Sequence, residues 1–323
     1  MPKPKVSVLV TFYNQEKYVD KALESIISQK TDFEIKILVG DDGSSDKTYE
    51  KINNWIKRYP DIIDLFIMER DEEDFVPVFR ASRNRLNLLS HVETEYFTFL
   101  DGDDYYCYDH KLQKQVDILD RSENSDCIAC GHNIYMQYAD GSRKPAMGTD
   151  FEEGKVDAKK YWRDLYFSTD TILIRSSVIS SIDTGLIRDF FDDIIITFSI
   201  IQYGKLYYFP DFWAVYMQTG EGIWTGSNKI ENLIRSMMMF DICNIINSDM
   251  LSQSKARFSH IWKDLMQSRK NIDSANLKLY SDYSEMKNFK YSYKWIHYSN
   301  LGLFERLKLY FMYISVRISK LLH

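Results

Sequence analysis

The chain has 323 residues, 45% of them apolar, 15% aromatic and 27% charged, with 13 Gly, 6 Pro and 4 Cys. That composition excludes collagen-like, low-complexity and disulfide-scaffold chains, and a disordered chain would not carry so many aromatic residues. The net charge of −6 is unevenly distributed: residues 251–323 hold 13 Lys and Arg against 5 Asp and Glu, a net of +8, and residues 1–250 a net of −14. An acidic body argues against a nucleic-acid groove, so no nucleic-acid partner is expected, while a basic tail suits an anionic surface.

The elements follow in chain order. Val6–Phe12 is apolar and β-branched and reads as a strand. Asn14 reads as an N-cap, followed by a one-faced helix on Val19, Ala22, Leu23, Ile26 and Ile27. Ile35–Val39 is a second strand, ending in Asp41-Asp42-Gly43, and Tyr49, Ile52, Ile56 and Tyr59 mark a helix stopped by Pro60. Ile62–Met68 is a third strand, Arg80–Val92 a helix and Tyr96–Leu100 a fourth strand, after which Leu112, Val116 and Leu119 form the stripe of another helix. Cys127 and Cys130 form a CxxC pair, but with no second ligand pair at matching spacing they read as buried strand residues.

Such alternation predicts an α/β fold, a mainly parallel sheet flanked by helices, with ligands at the carboxyl ends of the strands. Beyond about residue 226 strand signals end and helical spacing takes over, so the expected domains are 1–226 and a helical region, 227–323. No basic n-region followed by an apolar run opens the chain, and no apolar stretch reaches the ~18–20 residues that span a bilayer. With few cysteines as well, the expected location is the cytoplasm, extending to the inner face of the plasma membrane.

The strongest chemical signal is Asp101-Gly102-Asp103-Asp104 at the end of the fourth strand. Three carboxylates within four residues repel one another unless a cation is present, and a hard divalent ion, Mn²⁺ or Mg²⁺, meets that need. The Asp41-Asp42 pair and the end of the first strand, Thr11 to Asn14, bring further polar groups to the same crevice.

VSVLVTFYNQEKYVDKALESIISQ, ILVGDDGSSDKT and YFTFLDGDDYY with KLQKQV resemble the successive motifs of glycosyltransferase family 2, inverting nucleotide-sugar enzymes of the GT-A fold. RDFFDDIIITFSIIQYGKLYY and VYMQTGEGIWTG continue the resemblance in order and spacing, so that it covers roughly residues 4–226.

The resemblance implies that Thr11 and Tyr13 line a nucleotide pocket, that Asp42 accepts a hydrogen bond from the base, favouring uracil, and that Asp41 is structural. It implies that Asp101 faces the ribose and the metal shell and that Asp103 binds the metal. Asp104 either joins that shell or orients the loop. Arg83 and Asn84 match the polar start of the helix before the metal strand, where Arg83 would offset diphosphate charge, with Arg80 and Arg85 as neighbours that compete for that role. Asp193 matches the general base, and Asp192 is the competing candidate unless it caps the helix. Trp224 would stack on the sugar or lie in the core. Related loops carry an Arg and a His where this chain has Met217 and Thr219, which implies weaker metal binding, a compensating ligand elsewhere or reduced activity.

Residues 301–322 place Leu303, Leu307, Tyr310, Ile314, Ile318 and Leu321 on one helical face with cationic flanks. Such a helix lies in a membrane interface, packs on the catalytic domain or makes an oligomer contact. The expected function is transfer of one sugar from a UDP-sugar donor to a saccharide or lipid-linked acceptor for surface polysaccharide. The alternative is a non-catalytic nucleotide-sugar or glycan-binding protein on a degenerate form of the fold.

Overall fold

The computed structural model describes residues 3–70, 77–220, 222, 228–272 and 277–321, without the side chains of 251–257 and 316–321. Trp224 lies outside the described residues.

Val6–Phe12 forms β1, Val19–Ile27 α1, Ile35–Asp41 β2, Thr48–Arg58 α2, Ile63–Ile67 β3, Pro77–Leu89 α3 and Tyr96–Asp101 β4. There follow β5 (Tyr105–Tyr106), α4 (Lys111–Asp120), β6 (Cys127–Gln137), β7 (Arg143–Pro145) and β8 (Gly154–Val156). Next come α5 (Ala158–Asp164), β9 (Leu173–Arg175), α6 (Asp193–Ile201) and β10 (Lys205–Met217). The last helices are α7 (Lys229–Ile246), α8 (Ser248–Ile272), α9 (Lys278–Met286), α10 (Lys290–Ile296) and α11 (Leu303–Leu321).

Apolar periodicity explains the first half. In β1 every residue but Thr11 is buried, as a central strand covered on both faces requires. Helix α1 buries Val19, Ala22, Leu23 and Ile26 on the expected stripe, and α2 ends just before Pro60, whose ring disfavours helix at the preceding residue. Cys127 and Cys130 are buried free thiols in β6.

Asn14 does not cap α1. It adopts a left-handed backbone (φ 50°), and its Oδ1 accepts the Ser45 N–H at 2.8 Å while its own N–H donates to Ser44 Oγ at 2.9 Å. An Asn tolerates that conformation, so the residue stitches the loop after β1 to the loop after β2.

The strands form one ten-stranded sheet ordered β3-β2-β1-β4-β9-β6-β10-β5, with β7 pairing β6 and β8 pairing β10. The pairs β3–β2, β2–β1, β1–β4 and β6–β10 are parallel, whereas β9 runs antiparallel to both β4 and β6. The chain leaves β1 toward β2 on one side and returns to β4 on the other, which opens a crevice at the carboxyl ends of β1 and its neighbours.

The chain divides into two compact units, 1–157 with 166–220 and 158–165 with 221–323. The expected boundary at 226 kept residues 158–165 with the first domain. In the structure they belong to the second unit, and their helix α5, with Tyr161 and Trp162 buried, packs on α8. No helix among the described residues is long and apolar enough to cross a membrane.

Candidate active site

Register places the polar groups. Thr11 on β1 lies beside Gly40 on β2 and beside Asp101 on β4, and Phe12 lies beside Asp41. Asp41 Oδ1 accepts from the Ser44 N–H (3.1 Å) and Ser44 Oγ (2.5 Å), fastening the turn whose Gly43 has φ 69°.

Asp42 is buried and gripped by two arginines. Arg80 Nη2 and Nε lie 2.5 and 2.8 Å from its Oδ1, and Arg70 Nη2 lies 3.1 Å from Oδ2 while Arg70 Nε donates to the Asp42 carbonyl at 2.8 Å. Arg80 Nε also lies 3.1 Å from Oδ2, so both carboxylate oxygens are held by guanidinium groups, and a ligand N–H would have to share an oxygen with them. The Arg70 guanidinium also stacks 3.6 Å above the exposed Tyr13 ring, joining the two expected pocket residues through a side chain that sequence reasoning missed.

Helix α3 packs across β1 and β2 and sends each of its three arginines to a different carboxylate. Arg80 meets Asp42, Arg83 Nε lies 2.6 Å from Oδ1 of the buried Asp189, and Arg85 Nη2 lies 2.6 Å from Asp101 Oδ1. The guanidinium at the acidic strand end is thus that of Arg85, whereas Arg83 ties α3 to the segment before α6. Asn84 is buried and donates to the Gly40 carbonyl at 3.1 Å. That approach needs a glycine, because a Cβ on Gly40 would lie 2.1 Å from Asn84 Oδ1.

After β4 the chain turns sharply, with the Asp104 N–H donating to the Asp101 carbonyl at 2.9 Å and the Gly102 N–H to the Thr11 carbonyl at 3.0 Å. The Thr11 hydroxyl is 3.5 Å from Asp101 Oδ1, a weak contact. Burial, and then the neighbouring Asp101, push Asp103 up to about 6. Asp104 is buried at 1% exposure. Its Oδ1 accepts the Met217 N–H at 2.7 Å, and its Oδ2 is buried without a hydrogen-bond partner.

Asp170 joins this group from outside the motif. It lies in a single turn, Thr169–Thr171, that leads into β9, and the antiparallel pairing of Leu173 with Thr98 carries it back beside Asp101. Its Oδ1 accepts the Asp101 N–H at 3.0 Å and its Oδ2 the Ser168 hydroxyl at 2.9 Å. Asp101, Asp104 and Asp170 each offer an oxygen within 4.8 Å of the others, an all-oxygen set suited to Mg²⁺ or Mn²⁺. Asp103, expected to bind the ion directly, is not part of this grouping, and Asp104, given the weaker case, is. Burial and mutual repulsion raise both Asp104 and Asp170 above the ordinary carboxylate range.

The two acidic residues at the start of α6 have separate roles. Asp192 is the N-cap, its Oδ1 accepting the Ile195 N–H at 3.1 Å, and burial beside Asp193 pushes it up to about 7. Asp193 is the first helical residue; its Oδ1 accepts the Thr169 N–H at 2.9 Å and its Oδ2 the Tyr166 hydroxyl. Burial raises Asp193, with the Tyr166 bond and then Arg85 opposing the shift. The Arg85 charge therefore faces both Asp101 and Asp193, linking the acidic strand end to the head of α6. Met217 reaches Asp104 through its backbone alone, and the Thr219 N–H donates to the Met217 carbonyl at 3.0 Å.

Comparison with known proteins gives this geometry a context. The sequence model described as "Glycosyl transferase family 2" matches residues 7–183. An uncharacterised protein of Mycobacterium tuberculosis strain H37Rv is 28% identical over 233 residues, 68% of this chain and 60% of that protein. The chain thus spans about 60% of the length of that relative. In fold it resembles TarS 1–349 of S. aureus in complex with UDP, with a TM-score of 0.58 at 16% identity over 92% of this chain and 91% of that one. It also resembles the mannosyltransferase PcManGT of Pyrobaculum calidifontis in complex with GDP-Man and Mn²⁺, with a TM-score of 0.52 at 14% identity over 99% and 88%.

Proposed function

The chain belongs to glycosyl transferase family 2 and has its GT-A fold, and from that premise we propose that it transfers one sugar, with inversion, from a UDP-sugar to a saccharide or lipid-linked saccharide acceptor in cell-surface polysaccharide assembly. The observation that carries this reading is the crevice at the ends of β1, β2 and β4, with Asp42 and Tyr13 at one side and Asp193 at the head of α6, electrostatically linked to Asp101 through Arg85. UDP is the nucleotide in the TarS complex, and Asp42 supplies the acceptor that a uracil N3–H needs.

In this reading Asp193 takes the proton of the acceptor hydroxyl as that oxygen bonds to the anomeric carbon and the bond to the diphosphate breaks. Tyr166 and the Thr169 N–H hold the carboxylate in place. Arg85 lowers the cost of negative charge in the crevice, and Thr11 and Asp101 line the side that takes the ribose. A Mn²⁺ or Mg²⁺ ion bound by Asp101 and its neighbours would stabilise charge on the departing phosphate.

The helical unit supports a peripheral membrane location. Helix α11 packs on α8 with Leu309 buried, and it leaves Leu303, Phe304, Leu307, Tyr310 and Phe311 exposed beside Arg306 and Lys308. An apolar face with cationic flanks suits an anionic bilayer surface. Sedimentation with phosphatidylglycerol vesicles should be lost on deleting residues 300–323; unchanged sedimentation refutes this part.

Replacement of the related Arg and His by Met217 and Thr219 favours the second reading, a nucleotide-sugar-binding protein without turnover. Release of UDP from a panel of UDP-sugars, with and without Mn²⁺ and a saccharide acceptor, separates the two. Transfer supports the enzyme. Metal-enhanced binding without release or transfer supports the binding protein.

A further inference from the structure

The buried acidic group is larger than the Asp101–Asp104 motif accounts for, because Asp170 joins it. Asp170 is fully buried, and two hydrogen bonds fix its carboxylate, one of them to the backbone of Asp101 itself. Asp104 points the same lesson from the other side. The Met217 N–H occupies its Oδ1, and its Oδ2 is buried with no hydrogen-bond partner, a position costly to leave empty.

Charge completes the argument. Asp101, Asp104 and Asp170 together carry three negative charges when ionised, and Arg85 supplies one positive charge in contact with Asp101. Lys111, which burial pushes down to about 7, lies in electrostatic reach of Asp170, but its Nζ donates to Gln115 Oε1 at 2.8 Å and not to a carboxylate. The three oxygens lie close enough together to share one divalent cation, whose charge would offset the repulsion among them.

We infer that Asp170 is a direct ligand of the divalent cation, supplying from the turn before β9 the group that Met217 and Thr219 do not. The inference rests on the reading that this crevice binds a metal-chelated nucleoside diphosphate, and it goes beyond that reading by moving one ligand out of the Asp101–Asp104 motif. With Asp170 the donor set is wholly oxygen, which favours Mn²⁺ and Mg²⁺ over softer ions.

The test uses the full chain. Mn²⁺ alone is titrated against wild type and Asp170→Asn, reading the free-ion signal by electron paramagnetic resonance, and UDP binding in EDTA is measured calorimetrically on the same samples. Wild type should bind Mn²⁺, and Asp170→Asn should bind it at least about tenfold more weakly while UDP affinity in EDTA stays within about twofold. Equal Mn²⁺ affinity in the two proteins overturns the inference and leaves the glycosyltransferase reading standing, as does a wild type that binds UDP but no Mn²⁺. A wild type that binds neither overturns both. Should Asp170→Asn fail to fold, Asp170→Cys in a Cys107→Ser background gives an independent readout: a cadmium–thiolate ultraviolet band absent from the Cys107→Ser parent supports direct ligation, and its absence from the folded variant refutes it.

Discussion

Replacing Asp193 by Asn removes a proton acceptor while keeping the shape of the side chain. Oδ1 can still accept the Thr169 N–H, now at 2.9 Å, and the new amide can donate to the Tyr166 oxygen, so both anchors survive. The buried negative charge disappears, and with it the desolvation that raises this carboxyl, so thermal stability should hold or rise slightly. Turnover should not hold. A positioned general base contributes about 10²–10⁴-fold, and a loss of about 10³-fold corresponds to roughly 4 kcal/mol of transition-state stabilisation. Asp192→Asn is the matched control. Its Oδ1 keeps the 3.1 Å bond to the Ile195 N–H, Asn caps as well as Asp, and because burial beside Asp193 already disfavours the charge, stability near neutral pH should hold or rise slightly. Its turnover should stay within about threefold of wild type. The assay is UDP release in the presence of acceptor, with melting curves on each variant. If Asp192→Asn abolishes release and Asp193→Asn does not, the roles derived from the head of α6 are wrong.

Three further outcomes follow from neighbouring contacts. Tyr166→Phe deletes the hydrogen bond that lowers Asp193, so its carboxyl should rise further, and the acidic limb of the kcat/KM profile should move to higher pH; a limb that stays put or moves down contradicts the assignment. Arg80→Ala leaves the buried Asp42 with Arg70 as its remaining described cation, which should cost about 3 kcal/mol, roughly 6–12 °C in Tm, and weaken UDP binding; calorimetric melting and titration check both. Asp192 is pushed up to about 7 in the folded chain, so between pH 4 and 7 the native state holds a proton that the unfolded state has lost, and stability contributed by this group falls as pH rises through that window. Asp192→Asn should therefore flatten the fall in denaturant-measured stability between pH 5 and 7.5, and an unchanged slope would refute it.

Much of the first unit was legible because its strands and helices carry clean periodicities. Val6–Phe12 reads as a buried strand and is one, and Asp101 ends β4 as its position in the motif implies. The capping role of Asp192 was an explicit alternative in the sequence, settled by the 3.1 Å bond to Ile195. What stayed hidden depends on register and tertiary pairing. Asp170 sits 69 residues from Asp101, and only the antiparallel pairing of β9 with β4 brings them together; the polar run Ser168-Thr169-Asp170-Thr171 ahead of an apolar strand was the available signal. The three arginines of α3 look interchangeable in sequence, yet each meets a different carboxylate, because helical rotation aims them at different strand ends. Helix α5, Ala158–Asp164, joins the C-terminal helices, a partnership that local composition does not reveal.

The central claim is that the crevice at the ends of β1, β2 and β4 holds the nucleotide of a UDP-sugar against Asp42. Calorimetric titration of UDP into wild type and Asp42→Asn, each with and without Mn²⁺ and with folding checked by melting, tests it most directly. The account predicts saturable UDP binding to wild type, tightened by Mn²⁺, and a loss of at least about tenfold in a folded Asp42→Asn. No binding of UDP to wild type, or equal binding by the two proteins, would contradict it.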